Sequence, residues 1–119
     1  MKLAGKVRVP SGLFPLIMIM PLVLLFSTVT CRSAAAGRLT RNHLLGYRFP
    51  SLLASDRSWQ AGHEAAYRPS LFGFIGTLLS SIAIFTLSPL MILVEILCFI
   101  IGLGTAITSA LRAAGSEYL

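Results

Sequence analysis

The sequence predicts an all-α membrane protein with three transmembrane helices and a basic loop, carrying a short amphipathic helix, between the first and the second. Hydrophobic residues make up 55% of the 119 residues and charged residues only 12%, far from the balance of a soluble domain. Long uncharged stretches separate the charged residues, and the arginines concentrate between the first two stretches. The net charge of +6 is not gathered on an amphipathic element, which argues against nucleic-acid binding.

The first predicted span covers residues 13–31 and follows a basic N-terminal segment at residues 1–12. Its nineteen residues carry no charge, and as a helix they would extend about 28 Å, close to a hydrocarbon core of about 30 Å. Pro21 is internal and should kink this helix. A cleaved signal peptide is the alternative, because three alanines at 34–36 follow the run, but the run is long for a signal core and Arg32 precedes the alanines.

The second region, residues 32–69, is the predicted water-facing loop. It contains six arginines, both histidines and the only tryptophan. A short helix is expected at about 55–66, because Ser55 can cap it and Asp56 would lie in its first turn, where a negative charge is favourable. The residues before Pro50 should be extended.

The last apolar region runs from residue 71 to 111 with one ionisable group, Glu95. As one helix it would extend about 60 Å, twice the thickness of a bilayer core, so it must fold back. Ser88 can cap a new helix and Pro89 can occupy its first position. We therefore predict the second span at 70–87 and the third at 89–111, followed by a tail at 112–119.

The distribution of basic residues predicts the orientation. With the loop inside, its six arginines and Arg112 are cytoplasmic, whereas Lys2, Lys6 and Arg8 are outside. The opposite orientation would leave three basic residues inside and seven outside. The positive-inside rule thus favours an outside N-terminus and a cytoplasmic C-terminus.

Small and polar residues form one stripe on each of the last two spans. The stripes are Gly73, Gly76, Thr77, Ser80 and Ser81 on the second span, and Glu95, Cys98, Gly102, Thr105 and Ser109 on the third. Helices in a membrane associate through close backbone approach and interhelical hydrogen bonds, so the stripes should face one another. We expect a hydrogen bond from Glu95 to Ser81 or Ser80, and the closest contact near the glycines.

Glu95 has two interpretations. It is either a neutral acid that joins two helices or a proton or ligand site inside the bundle. The spans contain no Lys, Arg or second acid as its partner, which favours the first interpretation.

The loop carries a closely spaced set of residues that are polar, aromatic or conformationally special. They are Asn42, Gly46, Arg48, Pro50, Ser55, Asp56, Trp59 and His63. Together with one helix before the loop and two after it, this pattern resembles the signature of the SdpI family, named for the immunity protein that protects bacteria against a sporulation-delaying peptide toxin. Tyr47 and Phe49 depart from it, since Ile and Thr are common there.

The resemblance implies a multi-pass protein of the bacterial cytoplasmic membrane and a partner-binding or ligand-binding role for those eight residues. Two interpretations of the loop stay open. In one, Arg48, Asp56, Trp59 and His63 form a polar platform that docks a partner on the inner membrane face. In the other, Trp59 and Tyr67 are interfacial anchors and the arginines contact lipid phosphates.

No catalytic constellation stands out and the histidine spacing matches no zinc pattern, so we expect no enzyme, metal or cofactor. The predicted function is immunity to, or sensing of, a membrane-active peptide, or capture of a cytoplasmic regulator protein. The alternative is an accessory or structural subunit of a membrane transport or envelope complex, and an enzyme acting on lipid headgroups is a weaker one. Expected partners are the lipid bilayer and the peptide toxin or regulator; a homo-oligomer stays open.

Overall fold

The computed structural model of the protein describes residues 9–42 and 44–116. The basic residues Lys2, Lys6 and Arg8, the loop residue His43 and the end of the tail at 117–119 lie outside the described residues. The helices are a short 3-10 turn (Ser11–Leu13), α1 (Phe14–Ala35), α2 (Pro50–Leu53), α3 (Asp56–Thr86) and α4 (Met91–Ser116). Three of them, α1, α3 and α4, are long and apolar enough to cross a membrane, which confirms the predicted all-α membrane fold.

Helix α1 extends past the predicted end of the first span at residue 31 and stops at Ala35. Pro21 lies inside it and is buried. The additional turn contains Arg32, whose positive charge is favourable near a helix C-terminus and whose Nη1 donates to the Tyr67 hydroxyl of α3 at 3.2 Å. The basic residue that ends the apolar run therefore stays helical.

Helix α3 is the main difference from the sequence prediction. The helix expected at about 55–66 and the span expected from residue 70 form one helix, Asp56–Thr86, of 31 residues. Its start agrees with prediction, because the Ser55 side chain accepts a hydrogen bond from the backbone N–H of Ser58 at 3.0 Å. The helix continues through Pro69. Proline has no backbone N–H and so weakens the helix, but the packing of Ser70 and of the turns that follow it compensates for the lost hydrogen bond. At about 46 Å the helix is longer than a bilayer core, so its first turns extend beyond the hydrocarbon.

The reversal between α3 and α4 lies at Ser88, as the sequence predicts, but α4 begins at Met91 and not at the predicted Pro89, which lies in the turn before it. The Ser88 hydroxyl accepts a hydrogen bond from the N–H of Leu90 at 3.1 Å, and its carbonyl accepts from Met91 at 3.1 Å. Helix α4 then runs to Ser116, one turn beyond the predicted end at residue 111. Helix α3 packs against both α1 and α4, which contact each other less.

The main hydrophobic core lies at the loop end of the helices. It consists of Cys31, Ala34, Leu52, Trp59, Ala66, Ala106, Ala110 and Ala114. Helix α2, which follows an extended Phe49, contributes Leu52 to this core. A Cβ built on Gly62 would lie 2.7 Å from Leu52 and 3.2 Å from the Ala110 carbonyl oxygen, so the glycine of α3 lets both α2 and α4 approach.

Candidate binding site formed by the loop and helix α3

The signature loop is fixed to α3 at Gly46. This glycine has φ +93°, and a Cβ on it would lie 2.7 Å from the Trp59 ring and 2.9 Å from His63 Nε2. Glycine tolerates a positive φ at little cost. The ring centroids of Trp59 and His63 are 4.2 Å apart, so the two signature residues one turn apart on α3 form the surface that receives the loop.

His63 holds the loop backbone by a hydrogen bond, and its two contacts define the tautomer of its imidazole ring. Its Nε2 accepts the backbone N–H of Tyr47 at 2.9 Å, and its Nδ1 lies 2.7 Å from the Trp59 carbonyl oxygen. A carbonyl only accepts, so Nδ1 carries the proton and the imidazole is neutral. Trp59 in turn donates its indole N–H to the Leu39 carbonyl at 2.9 Å. The two side chains thus hold two separate points of the loop.

Tyr47 extends this contact to α1. Its hydroxyl lies 2.6 Å from Ser27 Oγ and 3.4 Å from Ser70 Oγ, and the two serines are 2.9 Å apart. Burial raises the pKa of the Tyr47 phenol, although its hydrogen bonds to the two serines act in the opposite direction, so the phenol is neutral. This hydroxyl cluster joins the loop, α1 and α3, and no local sequence pattern indicated it.

Asn42 shapes the first part of the loop. Its Oδ1 accepts the backbone N–H groups of Leu44 at 2.8 Å and Leu45 at 2.6 Å, and its Nδ2 donates to the Thr40 carbonyl at 2.8 Å. Such side-chain to backbone bonds are the usual way in which asparagine stabilises a turn. The turn leaves Leu44 85% exposed.

Asp56 and Ser55 stabilise the start of α3. Arg41 Nε donates to Asp56 Oδ1 at 2.9 Å and its Nη1 to the Leu53 carbonyl at 2.9 Å. Arg41 is not one of the eight signature positions, and its role depends on a turn that brings it back to α3. Pro50 occupies the first position of α2, which suits its fixed φ.

Arg48 differs from Gly46, Trp59 and His63 because it is exposed. It lines a cavity of about 360 Å³ with Gly46, Tyr47, Phe49 and Ile107. No hydrogen bond or ion pair joins the Arg48 guanidinium to another described residue. The structure therefore brings Gly46, Trp59 and His63 together but leaves Arg48 and Asp56 apart from that contact. Trp59 and His63 are too deeply buried to touch a partner directly.

The predicted contact between the membrane stripes is present. Ser81 Oγ lies 2.5 Å from Glu95 Oε2, which confirms the predicted pair, whereas Ser80 donates to the Gly76 carbonyl. Glu95 is fully buried, and its Oε1 has no hydrogen-bond partner among the described residues.

The two glycines bring the helix backbones into direct contact. A Cβ on Gly102 would lie 2.7 Å from the Gly73 Cα. The stripe on α4 needs one correction: Thr105 is exposed and Ser109 half-buried, and Ala106, Ala110 and Ala114 are buried instead. Steps of four residues continue from Gly102 along one helix face, and alanine is small enough to let α4 approach α3 there.

Comparison with known proteins identifies the family. A model of the SdpI/YfhL protein family matches residues 38–109, which cover the signature loop, α3 and most of α4 and are more than half of the chain. Comparisons with curated proteins and with solved structures gave no match. The family is in general one of non-enzymatic membrane proteins, and the three apolar helices agree with a multi-pass membrane protein. The chain belongs to the SdpI/YfhL protein family.

Proposed function

We propose that this protein acts without catalysis in the bacterial cytoplasmic membrane, where it provides immunity to, or senses, a membrane-active peptide through its signature loop. Membership of the SdpI/YfhL family supports this role. The observation that carries the proposal is the exposed Arg48 guanidinium, which has no partner among the described residues. The signature residues around it fix the loop backbone and so present this cation in a defined position.

The surface around Arg48 suits an amphipathic peptide. Phe49 and Ile107 provide apolar walls to the cavity beside Arg48, and the nearby turn exposes Leu44. A guanidinium binds carboxylates with directional, charge-assisted hydrogen bonds. We therefore expect a ligand with an acidic group for Arg48 and an apolar side chain for the cavity. In the proposed orientation the loop faces the cytoplasm, with the N-terminus outside.

The proposal is tested by survival of a bacterial host that expresses the full chain. Cells with the wild-type protein, Arg48→Ala or Arg38→Ala are challenged with a panel of membrane-active peptides, and membrane insertion is checked for each variant. Arg38 is a matched control, because it is also an exposed loop arginine but lines a different cavity. We expect protection by the wild type and by Arg38→Ala, and its loss in Arg48→Ala.

Two results would contradict the proposal. One is an inserted wild-type protein that protects against no peptide of the panel. The other is full protection by Arg48→Ala. Stable co-purification with a large membrane complex that is insensitive to Arg48→Ala would instead favour an accessory subunit of a transport or envelope complex.

A further inference from the structure

The groove between α3 and α4 has no role in the proposed function. It encloses about 480 Å³, a volume typical of sites for small molecules. Its described lining comes from α3 and α4 alone: Arg68, Pro69, Phe72, Gly73, Leu97, Cys98, Ile101, Gly102 and Thr105. Phe72 on one side is 67% exposed, and Leu97 and Ile101 on the other are about half exposed. The groove therefore opens sideways, toward the lipid.

The glycine contact makes the groove. Gly73 and Gly102 meet without side chains at its floor, so the larger side chains on either side stand above a depression. The Thr105 hydroxyl in the groove has no hydrogen free to donate to a ligand, because Oγ1 already donates to the Ile101 carbonyl at 2.6 Å and lies 3.1 Å from the Gly102 carbonyl. Among the described lining residues, Arg68 is the only charged one.

Arg68 lies at one end of this groove, at the boundary between the polar and the apolar halves of α3. Its side chain is exposed, and no hydrogen bond or ion pair joins its guanidinium to another described residue. From Arg68 to Gly76 the helix advances about 12 Å into the apolar region. The arrangement combines an anion-binding group at the level where lipid phosphates lie with an apolar channel directed toward the bilayer centre.

We propose that this groove binds one anionic phospholipid, with an acyl chain along the glycine floor and the phosphate on Arg68. A single acyl chain suits this groove, because apart from Arg68 its described lining is largely apolar and an acyl chain needs no hydrogen-bond donor from the walls. Binding at this site would associate the α3–α4 pair with anionic lipid on the side of the membrane where the loop lies.

The test measures lipid binding to the purified full chain in detergent by native mass spectrometry. The probes are phosphatidylglycerol and phosphatidylcholine with identical acyl chains. Arg68→Gln should weaken phosphatidylglycerol binding about fivefold, the effect of one basic residue at a membrane surface, and should reduce the preference over phosphatidylcholine. Arg112→Gln removes the same charge from an exposed position outside the groove and should leave binding unchanged within about twofold.

A second pair of variants tests the groove itself. Thr105→Phe would fill the groove with an aromatic ring and should weaken binding of both lipids. Thr108→Phe is its matched control, because Thr108 is also exposed on α4 and contacts the carbonyl four residues earlier, at Gly104, but does not line the groove. Equal binding by Thr105→Phe and Thr108→Phe would overturn the proposal. So would an unchanged lipid preference in Arg68→Gln, or loss of self-association in Thr105→Phe while lipid binding persists.

Discussion

Two regions of the α3–α4 pair are held together in different ways. At the loop end, Trp59 is 1% exposed, and His63 fixes the loop backbone by a hydrogen bond to Tyr47. Beyond the loop end, the helices meet at Gly73 and Gly102, near the middle of each, and share a hydrogen bond between Ser81 and Glu95. Aromatic rings fill the space between α3 and the loop in the first region, whereas two glycines without side chains form the contact in the second.

The difference follows from the surroundings of each region in the unpacked state, which are water for the loop end and lipid tails for the membrane-spanning part. The first turns of α3 extend beyond the hydrocarbon, so burying an aromatic ring there removes apolar surface from water and is strongly favourable. Within the bilayer no such gain exists, because lipid tails are as apolar as the side chains, and stability depends on close packing. Lost volume should therefore cost most at Trp59 in the loop end, and added volume should cost most at the glycine contact within the membrane.

The largest effect is expected for lost volume at the loop end. Trp59→Ala should lower the free energy of unfolding by about 3–5 kcal/mol, since it leaves a cavity and frees the Leu39 carbonyl. Thermal denaturation in detergent measures this as a lower Tm. Phe72→Ala removes an exposed aromatic ring from the same helix and should change the Tm little. Similar losses in both variants would refute the proposed difference between the two regions.

Added volume should matter most at the glycine contact. Gly102→Leu should cost about 1–3 kcal/mol or more, because overpacking forces two backbones apart. Gly104→Leu is the control, as a Cβ at Gly104 meets nothing within 4 Å. The free energy of unfolding from denaturant titration in mixed micelles should fall for the first variant alone. A tolerated Gly102→Leu would mean that the helices are not held by close approach.

These contrasts show how far the sequence predicts the fold. Apolar length predicts the three spans, and Ser88 with Pro89 predicts their reversal, because both signals are local. Local signals also misplace the start of the second span. The charged composition up to Arg68 predicts that the span begins at residue 70, whereas packing of the surrounding turns keeps α3 continuous from Asp56 to Thr86.

The site was predicted less completely than the fold. The eight signature positions identify the loop, but their burial depends on contacts between residues distant in sequence. Tyr47, which departs from the family pattern, reaches Ser27 and Ser70 across 20 and 23 residues. Nothing in the spacing of these three residues indicates that their hydroxyls meet. Similarly, the sequence gives no reason to pair Arg41 with Asp56.

An effect no larger than that at Gly102 is expected at Gly46, where backbone conformation and contact with Trp59 act together. Gly46→Ala should cost about 1–3 kcal/mol from the positive φ and the clash with Trp59. Gly37→Ala separates the two causes, because Gly37 has φ +83° but its Cβ would meet only Gln60, at 3.6 Å. Amide hydrogen exchange at Tyr47 should accelerate in Gly46→Ala and not in Gly37→Ala. Equal exchange in both variants would show that the Trp59 contact does not hold the loop.

The smallest effect is expected at Glu95, and it concerns the protonation of the acid. Ser81 Oγ lies 2.8 Å from the Thr77 carbonyl as well as 2.5 Å from Glu95 Oε2. A hydroxyl has one hydrogen, so both contacts are full hydrogen bonds only if the carboxyl is protonated and donates to Ser81. A neutral acid also leaves the unpartnered Oε1 as a carbonyl oxygen, which costs less to bury than a charged one.

Glutamine can replace a protonated Glu95, because its amide also donates to Ser81 Oγ. Glu95→Gln should therefore change the free energy of unfolding by less than about 0.5 kcal/mol, whereas Glu95→Leu should lose the interhelical bond, about 0.6 kcal/mol on average in membrane proteins. Infrared spectroscopy should detect the carbonyl stretch of a protonated carboxyl in the wild type, and Glu95→Gln should abolish it. A wild-type spectrum without that carbonyl stretch would indicate a charged carboxylate, and Glu95 would then be a candidate ion or proton site rather than a link between helices.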